Sequence, residues 1–155
     1  MPLLENIRRK LNKAPLDQAS LIQASDGELR MEVKLADWNR LGCLLNELNL
    51  ENRHRGKMNL HPDKIAARVT YLDERLKTLE CEGETGRAVL RSNPPRRDGD
   101  VISFFEVLLN PGKDVSLTRY RYDPQVEARF QVPMPLSRDT LDRLVHDLIE
   151  LAQEN

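Results

Sequence analysis

The apolar stretch Val101-Ile-Ser-Phe-Phe-Glu-Val-Leu-Leu109 constrains the architecture of this 155-residue chain more than any other segment. Its β-branched and aromatic residues favour a strand. Alternation gives that strand two apolar faces, one with Ile102, Phe104 and Leu108 and the other with Val101, Phe105, Val107 and Leu109. We therefore expect it to lie inside a sheet that is covered on both faces.

Turn sequences separate this strand from its neighbours. The segments Asn110–Asp114 and Asp123–Gln125 combine proline with Asn or Asp, a composition typical of tight turns. Strands are accordingly predicted over residues 78–84, 87–91, 100–109, 115–122 and 126–132, with a loop over 92–99. Because short connections favour antiparallel neighbours, these strands are predicted to form a five-strand meander.

The spacing of apolar residues also predicts several helices. They are expected over residues 3–11, 37–48, 63–77 and 138–153, with a further turn or two of helix over 16–24. Residues 28–35 alternate apolar and charged side chains, which predicts one strand with a polar face. The stretch NLENRHRGKMNL, residues 49–60, loses this periodicity and is predicted to be a basic loop.

Together these elements predict an α+β fold, an antiparallel β-meander of about five to six strands packed with amphipathic helices. Residues 1–155 are expected to form a single domain. Residues 1–60 would supply an N-terminal helix, strand and helix with the basic loop, and residues 61–155 a helix, the meander and a C-terminal helix. The helices beside the meander would cover one face, so we expect the N-terminal half or a second subunit to cover the other.

Composition excludes several classes of function. The chain carries 24 Lys and Arg against 25 Asp and Glu, a net charge of −1, which argues against a general polyanion binder. Its two cysteines form no C-x-x-C pair, and its histidines and glycines match no metal or nucleotide motif, so no metal or cofactor is expected. No apolar run suits a signal peptide or a membrane span. We expect a cytoplasmic protein without a membrane partner.

Basic residues of the last predicted hairpin are the strongest binding candidates. They are Arg119, Arg121 and Arg129, joined by Arg96 and Arg97 from the proline-rich loop. A three-residue hairpin loop would place Tyr122 opposite Val126, and would send Tyr120 and Tyr122 to the face opposite the hairpin arginines. Single-stranded nucleic acids are bound by charge and stacking rings together, so this separation disfavours nucleic-acid binding.

Two further hypotheses concern the central strand. Phe105, Val107, Leu109 and Leu117 would share one apolar face, which predicts an interface and concentration-dependent homodimerisation. Glu106 lies on the largely apolar opposite side, where a buried carboxylate with Tyr120 and Tyr122 could line a small-ligand or catalytic pocket. Since no nucleophile or metal motif accompanies it, a non-catalytic role is favoured over an enzyme.

Residues Glu127–Glu150 combine a proline-ended strand with a capped C-terminal helix, and this order resembles the small acidic, dimeric chaperones of type III secretion. The resemblance covers about a sixth of the chain. It implies an apolar sheet or helix surface that holds an extended segment of an effector. The function predicted from the sequence is a protein-interaction module that self-associates. A chaperone-like effector binder, a pocket protein or enzyme, and a weak nucleic-acid binder are its alternatives.

Overall fold

A computed structural model describes residues 1–53, 60–82, 87–110 and 113–154. Within them the fold is α+β, as predicted, but its antiparallel sheet has ten strands rather than five to six. The elements are α1 (Pro2–Lys13), β1 (Ser20–Ser25), β2 (Leu29–Trp38), β3 (Gly42–Asn52), α2 (Pro62–Arg68), β4 (Leu76–Cys81), β5 (Ala88–Ser92), β6 (Arg96–Asp98), β7 (Val101–Asn110), β8 (Asp114–Asp123), β9 (Ala128–Val132), β10 (Met134–Ser137) and α3 (Arg138–Gln153).

The strand order of the sheet is β1-β2-β3-β8-β7-β5-β4, so β1 and β4 are its outer strands. Strand β7 pairs with β5 on one side and with β8 on the other. The interior position predicted for residues 101–109 is therefore confirmed. The strands of the N-terminal half do not fold across the outer strands of the meander, and its helix α1 packs on the same face as the other helices. Those strands extend the sheet sideways, because β3 pairs with β8.

Strands β3 and β8 pair only at one end, and the chain around Pro133 fills the fork between them. The pair joins residues 48–51 to residues 114–117. Beyond it, β9 runs antiparallel to β8 and β10 antiparallel to β3, so the chain reverses direction at Pro133. A Cβ at Gly42 would collide with the Leu136 carbonyl oxygen, so this close approach of β10 to β3 requires glycine.

The three helices pack on one face of the sheet, which we call the inner face. Paired residues such as Leu48 with Leu117, and Leu117 with Val107, point to this face and are buried. They join the apolar residues of the helices in one core, including Leu3, Ile7, Ile65, Leu141, Leu144 and Leu148. The opposite, outer face carries the alternate residues of each strand. None of the helices in the described part of the chain is long and apolar enough to cross a membrane.

The helix predicted over residues 37–48 is wrong, because that segment forms the end of β2, a turn and most of β3. Asn39 makes the turn, since its side-chain oxygen accepts hydrogen bonds from the backbone N–H groups of Leu41 and Gly42. Leu41 is 89% exposed, so it belongs to no buried stripe. Of the leucines that follow, Leu45, Leu48 and Leu50 are buried residues of a strand that has neighbours on both sides, whereas Leu44 is only partly buried.

Two further helix predictions are also wrong. Residues 20–25 form strand β1 rather than helical turns. The helix expected over residues 63–77 ends at Arg68, and Leu72 and Leu76 are buried outside it. In both segments tertiary burial, not helical periodicity, spaces the apolar side chains. Residues 49–52, predicted as part of the basic loop, form the end of β3 instead. Residues 54–59 of that loop and residues 83–86 lie outside the described residues.

Other predictions are confirmed. Strand β2 contains residues 29–35 of the alternating segment 28–35, and α1 and α3 bury the apolar stripes that were expected. Ser137 caps α3, since its hydroxyl accepts a hydrogen bond from the Thr140 N–H at 3.1 Å. His61 caps α2 in the same way through Nδ1, which accepts from the Asp63 N–H. The predicted loop 92–99 contains the short strand β6.

Candidate functional site

Glu106 lies at the centre of a polar and aromatic cluster on the outer face. The residue is 1% exposed, yet it sits on the face that the helices leave open. Oε2 accepts a hydrogen bond from Arg91 Nε at 2.7 Å and lies 3.3 Å from Arg129 Nη1. Strands β5, β7 and β9 each supply one of these three residues, so the ion pairs link strands across the sheet.

The same two arginines cover aromatic rings. The Arg91 guanidinium lies 5.4 Å from the centroid of Phe104, and the Arg129 guanidinium lies 4.1 Å from that of Tyr120. The two ring centroids are 6.0 Å apart. Arginine side chains therefore bury Phe104 and Glu106, so the cover expected from the N-terminal half or a second subunit is not needed there. We call these five residues the Glu106 cluster.

The hairpin register explains why Arg129 reaches this cluster. The loop between β8 and β9 has four residues, 124–127, and Tyr122 pairs with Arg129 instead of Val126. The pairing is thus shifted by three residues from the one predicted with a three-residue loop. Because three is an odd number, each side chain of β9 lies on the face opposite to the one predicted for it. The predicted separation of Tyr120 and Tyr122 from Arg129 is therefore wrong.

Of the other predicted arginines, only Arg97 lies on the same face of the sheet as Arg129. Arg119 lies on the inner face, is 9% exposed, forms an ion pair with Glu74 at 3.0 Å and lies 4.3 Å from the Phe105 ring centroid. Arg121 is exposed on that same side of β8. On β6, Arg96 is exposed and pairs with Asp98, and Arg97 is exposed opposite Ile102 of the outer face.

The four side chains assigned to an interface, Phe105, Val107, Leu109 and Leu117, all lie in the core of one chain. Helices α2 and α3 cover this region, where Ile65, Leu144 and Leu148 line the same small void as Val107 and Leu117. They are therefore not a surface that a second copy could contact. The predicted pocket at Glu106, Tyr120 and Tyr122 is also occupied, because Arg91 and Arg129 fill the space over Glu106 and Tyr120.

A groove follows the outer strand β1, where the sheet ends beside α1. It consists of two adjoining clefts of about 440 and 560 Å³ that share Lys10 and Gln23. Helix α1 forms one wall because its apolar stripe packs on the inner face, so its polar residues project beside β1. We call this region the β1 groove. Its lining residues are Asn6, Arg9, Lys10, Lys13, Ala14, Pro15, Ser20, Leu21, Ile22, Gln23, Ala24, Ser25, Arg30 and Arg53.

The backbone of β1 presents hydrogen-bonding groups to this groove. Lys10 Nζ donates to the carbonyl oxygen of Gln23 at 2.5 Å, so this carbonyl points away from β2. In an antiparallel strand the N–H and C=O of one residue point to the same side, and successive residues alternate. The backbone groups of Leu21, Gln23 and Ser25 therefore face the groove, and those of Ile22 and Ala24 face β2.

Comparisons of the chain with family models, with curated proteins and with solved structures found no match.

The β1 groove is strongly basic. Five of its lining residues are Lys or Arg, and none is Asp or Glu. Arg30 forms an ion pair with Glu32 at 3.1 Å. Across residues 1–53, 60–82, 87–110 and 113–154, no carboxylate forms an ion pair with Arg9, Lys10, Lys13 or Arg53. The chain's charge of −1 thus conceals a local excess of positive charge.

Sequence reasoning missed this groove because it predicted helical turns for the segment that forms β1. Arg9, Lys10 and Lys13 were visible as a basic side of the first helix. The signal that could have located the groove is the short alternation of Ile22 and Ala24 with Gln23 and Ser25, after a proline and before an Asp-Gly turn. Even so, sequence could not show that this strand lies at the end of the sheet.

Proposed function

We propose that the protein is a non-catalytic interaction module that holds an extended segment of a partner protein along β1. The observation that carries the proposal is the outward-facing backbone of Leu21, Gln23 and Ser25, of which the Gln23 carbonyl is occupied by the Lys10 side chain. An extended peptide that adds to an outer strand would use these groups for main-chain hydrogen bonds. The Lys10 ammonium occupies the position that a partner N–H would take.

The side chains of β1 are suited to such an addition. Leu21 is 54% exposed at the groove, so its side chain is available for an apolar contact with an added strand. Ser20 and Ser25 at the two ends are small and leave the backbone accessible. Each main-chain hydrogen bond contributes about 0.5–1.5 kcal/mol, so three paired positions and one apolar contact support a moderate, reversible complex.

This proposal favours a partner other than a second copy. The predicted homodimer depended on Phe105 and its three neighbours, which lie in the core. The chaperone-like alternative remains compatible, since the resemblance implies capture of an extended segment. It depends on a proline-ended strand followed by a capped C-terminal helix, here β9 and α3 with the short strand β10 between them. Effector binding is then one specific case of the same proposal.

The test uses the whole chain and three fluorescein-labelled decapeptides. All three alternate valine with threonine and differ only in three positions, which carry serine, glutamate or lysine. We expect at least one peptide to bind, measured by fluorescence polarisation. Amide exchange by NMR should then slow at Leu21, Gln23 and Ser25 and stay unchanged at Ile22 and Ala24, which already pair with β2.

Gln23→Pro tests the backbone directly, because proline removes the outward N–H but is tolerated on an outer strand. Gln23→Ala is the matched control, since it loses the same side-chain contacts with Arg30 and Glu32 and keeps the N–H. Binding should be lost in the proline variant and retained in the alanine variant, with both variants folded by circular dichroism. Equal binding by the two folded variants, or binding of none of the three peptides to the unmodified chain, would refute the proposal.

A further inference from the structure

We infer that the segment held along β1 is acidic, with carboxylates on the side that faces α1. This inference rests on the proposed function and adds the chemistry of the partner to it. It is drawn from the distribution of charge around the groove, which is independent of the backbone geometry that supports strand addition. A groove lined by five cations and no carboxylate favours a negatively charged occupant.

The cations of the β1 groove lie beside both ends and the middle of β1. The cleft beside Ser25 is lined by Arg9, Arg30 and Arg53, and the cleft beside Ser20 is lined by Lys13. Lys10 lines both clefts and reaches the middle of the strand at Gln23. An extended peptide rises about 3.3 Å per residue, so a segment paired with all six residues of β1 would pass within reach of each of them.

Most of these cations are free to pair with an incoming carboxylate. In the described residues, only Arg30 of this set forms an ion pair, with Glu32. Arg9 bonds the neutral side chain of Asn6, and Lys10 bonds a neutral backbone carbonyl. By contrast, Arg8 lies beside Arg9 on α1 but forms a bidentate pair with Asp142 of α3, so it is already neutralised.

The same charges select against two other occupants. Antiparallel pairing of β1 with β1 of a second copy would bring two identical sets of cations together, which is repulsive. A nucleic acid would satisfy the cations, but it cannot make the alternating main-chain hydrogen bonds of a strand. Among the described lining residues there is also no aromatic ring on which a base could stack.

The test compares the three labelled decapeptides at low and at moderate salt. Exposed ion pairs are individually weak, so three carboxylates should tighten binding about tenfold over the serine peptide, and the lysine peptide should bind most weakly. The advantage of the glutamate peptide should shrink as ionic strength rises, because salt screens exposed charges. The serine peptide should change little with salt.

A pair of double variants locates the effect. Arg9→Gln with Arg53→Gln removes two groove cations and should bring the glutamate peptide close to the affinity of the serine peptide. Arg96→Gln with Arg97→Gln removes the same charge from exposed positions on β6 and should leave all three affinities unchanged. Both pairs involve exposed side chains, so folding is expected to be preserved, and thermal unfolding checks it.

Each outcome separates the inference from the proposed function. If the serine and glutamate peptides bind equally well, the acidic preference is overturned and strand addition stands. If no peptide binds, the proposed function itself fails. If the glutamate peptide binds Gln23→Pro as tightly as the unmodified chain, charge alone holds it and both fail. If a ten-nucleotide oligo(dT) binds more tightly than the glutamate peptide and competes with it, the partner is a nucleic acid and the inference is overturned.

Discussion

Arg91 Nε donates a hydrogen bond to Glu106 Oε2 at 2.7 Å, although Arg91 is 39% exposed and Glu106 only 2% exposed at its side chain. A partly solvated cation thus holds a buried anion on the open face of the sheet. Arg129, 44% exposed, does the same from the opposite side. This arrangement lets an otherwise apolar strand carry a carboxylate without a second protein layer over it.

Glu106→Gln should destabilise the fold by about 1–3 kcal/mol, because it replaces two charge-assisted contacts with weaker neutral ones and keeps the volume. Urea unfolding measures this change. Glu80→Gln, at an exposed position in β4, removes the same charge and should change stability by less than about 0.5 kcal/mol. Equal unfolding midpoints for the two variants would show that the Glu106 cluster contributes nothing to stability.

Glu74→Ala should cost about 2–4 kcal/mol, because it leaves the guanidinium of Arg119 without its carboxylate at a site where both side chains are 10% exposed. Asp98→Ala is the matched control. It breaks the Arg96 pair, whose side chains are 65% and 64% exposed, and should cost less than about 0.5 kcal/mol. Chemical denaturation of the two variants side by side measures the free energy of unfolding that each ion pair contributes. Similar losses of stability in the two variants would contradict the expected difference between a buried and an exposed ion pair.

Gly42→Ala should destabilise the protein by about 1–3 kcal/mol or more, since the added Cβ would collide with the backbone oxygen of Leu136 and push β10 away from β3. Gly27→Ala adds the same methyl group where nothing lies within 4 Å, and its backbone is not in the left-handed region. Differential scanning calorimetry should therefore show a lower melting temperature for the Gly42 variant alone. A normal melting temperature for that variant would mean that β10 can shift at little cost.

Stability should fall between about pH 9 and pH 11 because of Cys43. Burial raises the pKa of this thiol from 9.0 to about 11. In that range the unfolded chain releases the proton and the folded chain retains it, so the unfolded state is favoured as pH rises. The linked loss is roughly 2 kcal/mol across the window, and it is absent below pH 9, where the thiol is protonated in both states.

Cys43→Ala isolates this contribution. Its free energy of unfolding should depend less on pH between 9 and 11 than that of the unmodified chain, measured by urea titrations at several pH values. Cys81→Ala, at an exposed cysteine, should follow the unmodified chain. Parallel curves for Cys43→Ala and the unmodified chain would rule out Cys43 as the titrating group.

Burial could be predicted from sequence more reliably than pairing. The two-sided apolar character of residues 101–109 correctly placed β7 inside the sheet, and the apolar spacing over residues 3–11 and 138–153 correctly predicted α1 and α3, each with one buried stripe. The helix predicted over residues 37–48 was wrong, because the i, i+3, i+4 spacing of the leucines in 41–48 arose from a turn joined to a strand. Such local spacing does not show whether a chain reverses direction in its middle.

The sequence alone determines which side chains tend to be buried, since that preference belongs to each residue and its immediate neighbours. The fold decides which strands meet and in what register. The four-residue loop at 124–127 turned Arg129 toward Tyr120, and the order of ten strands left β1 at the end of the sheet beside the cations of α1. Those features arise from contacts between residues far apart in the chain, whose geometry no local pattern encodes.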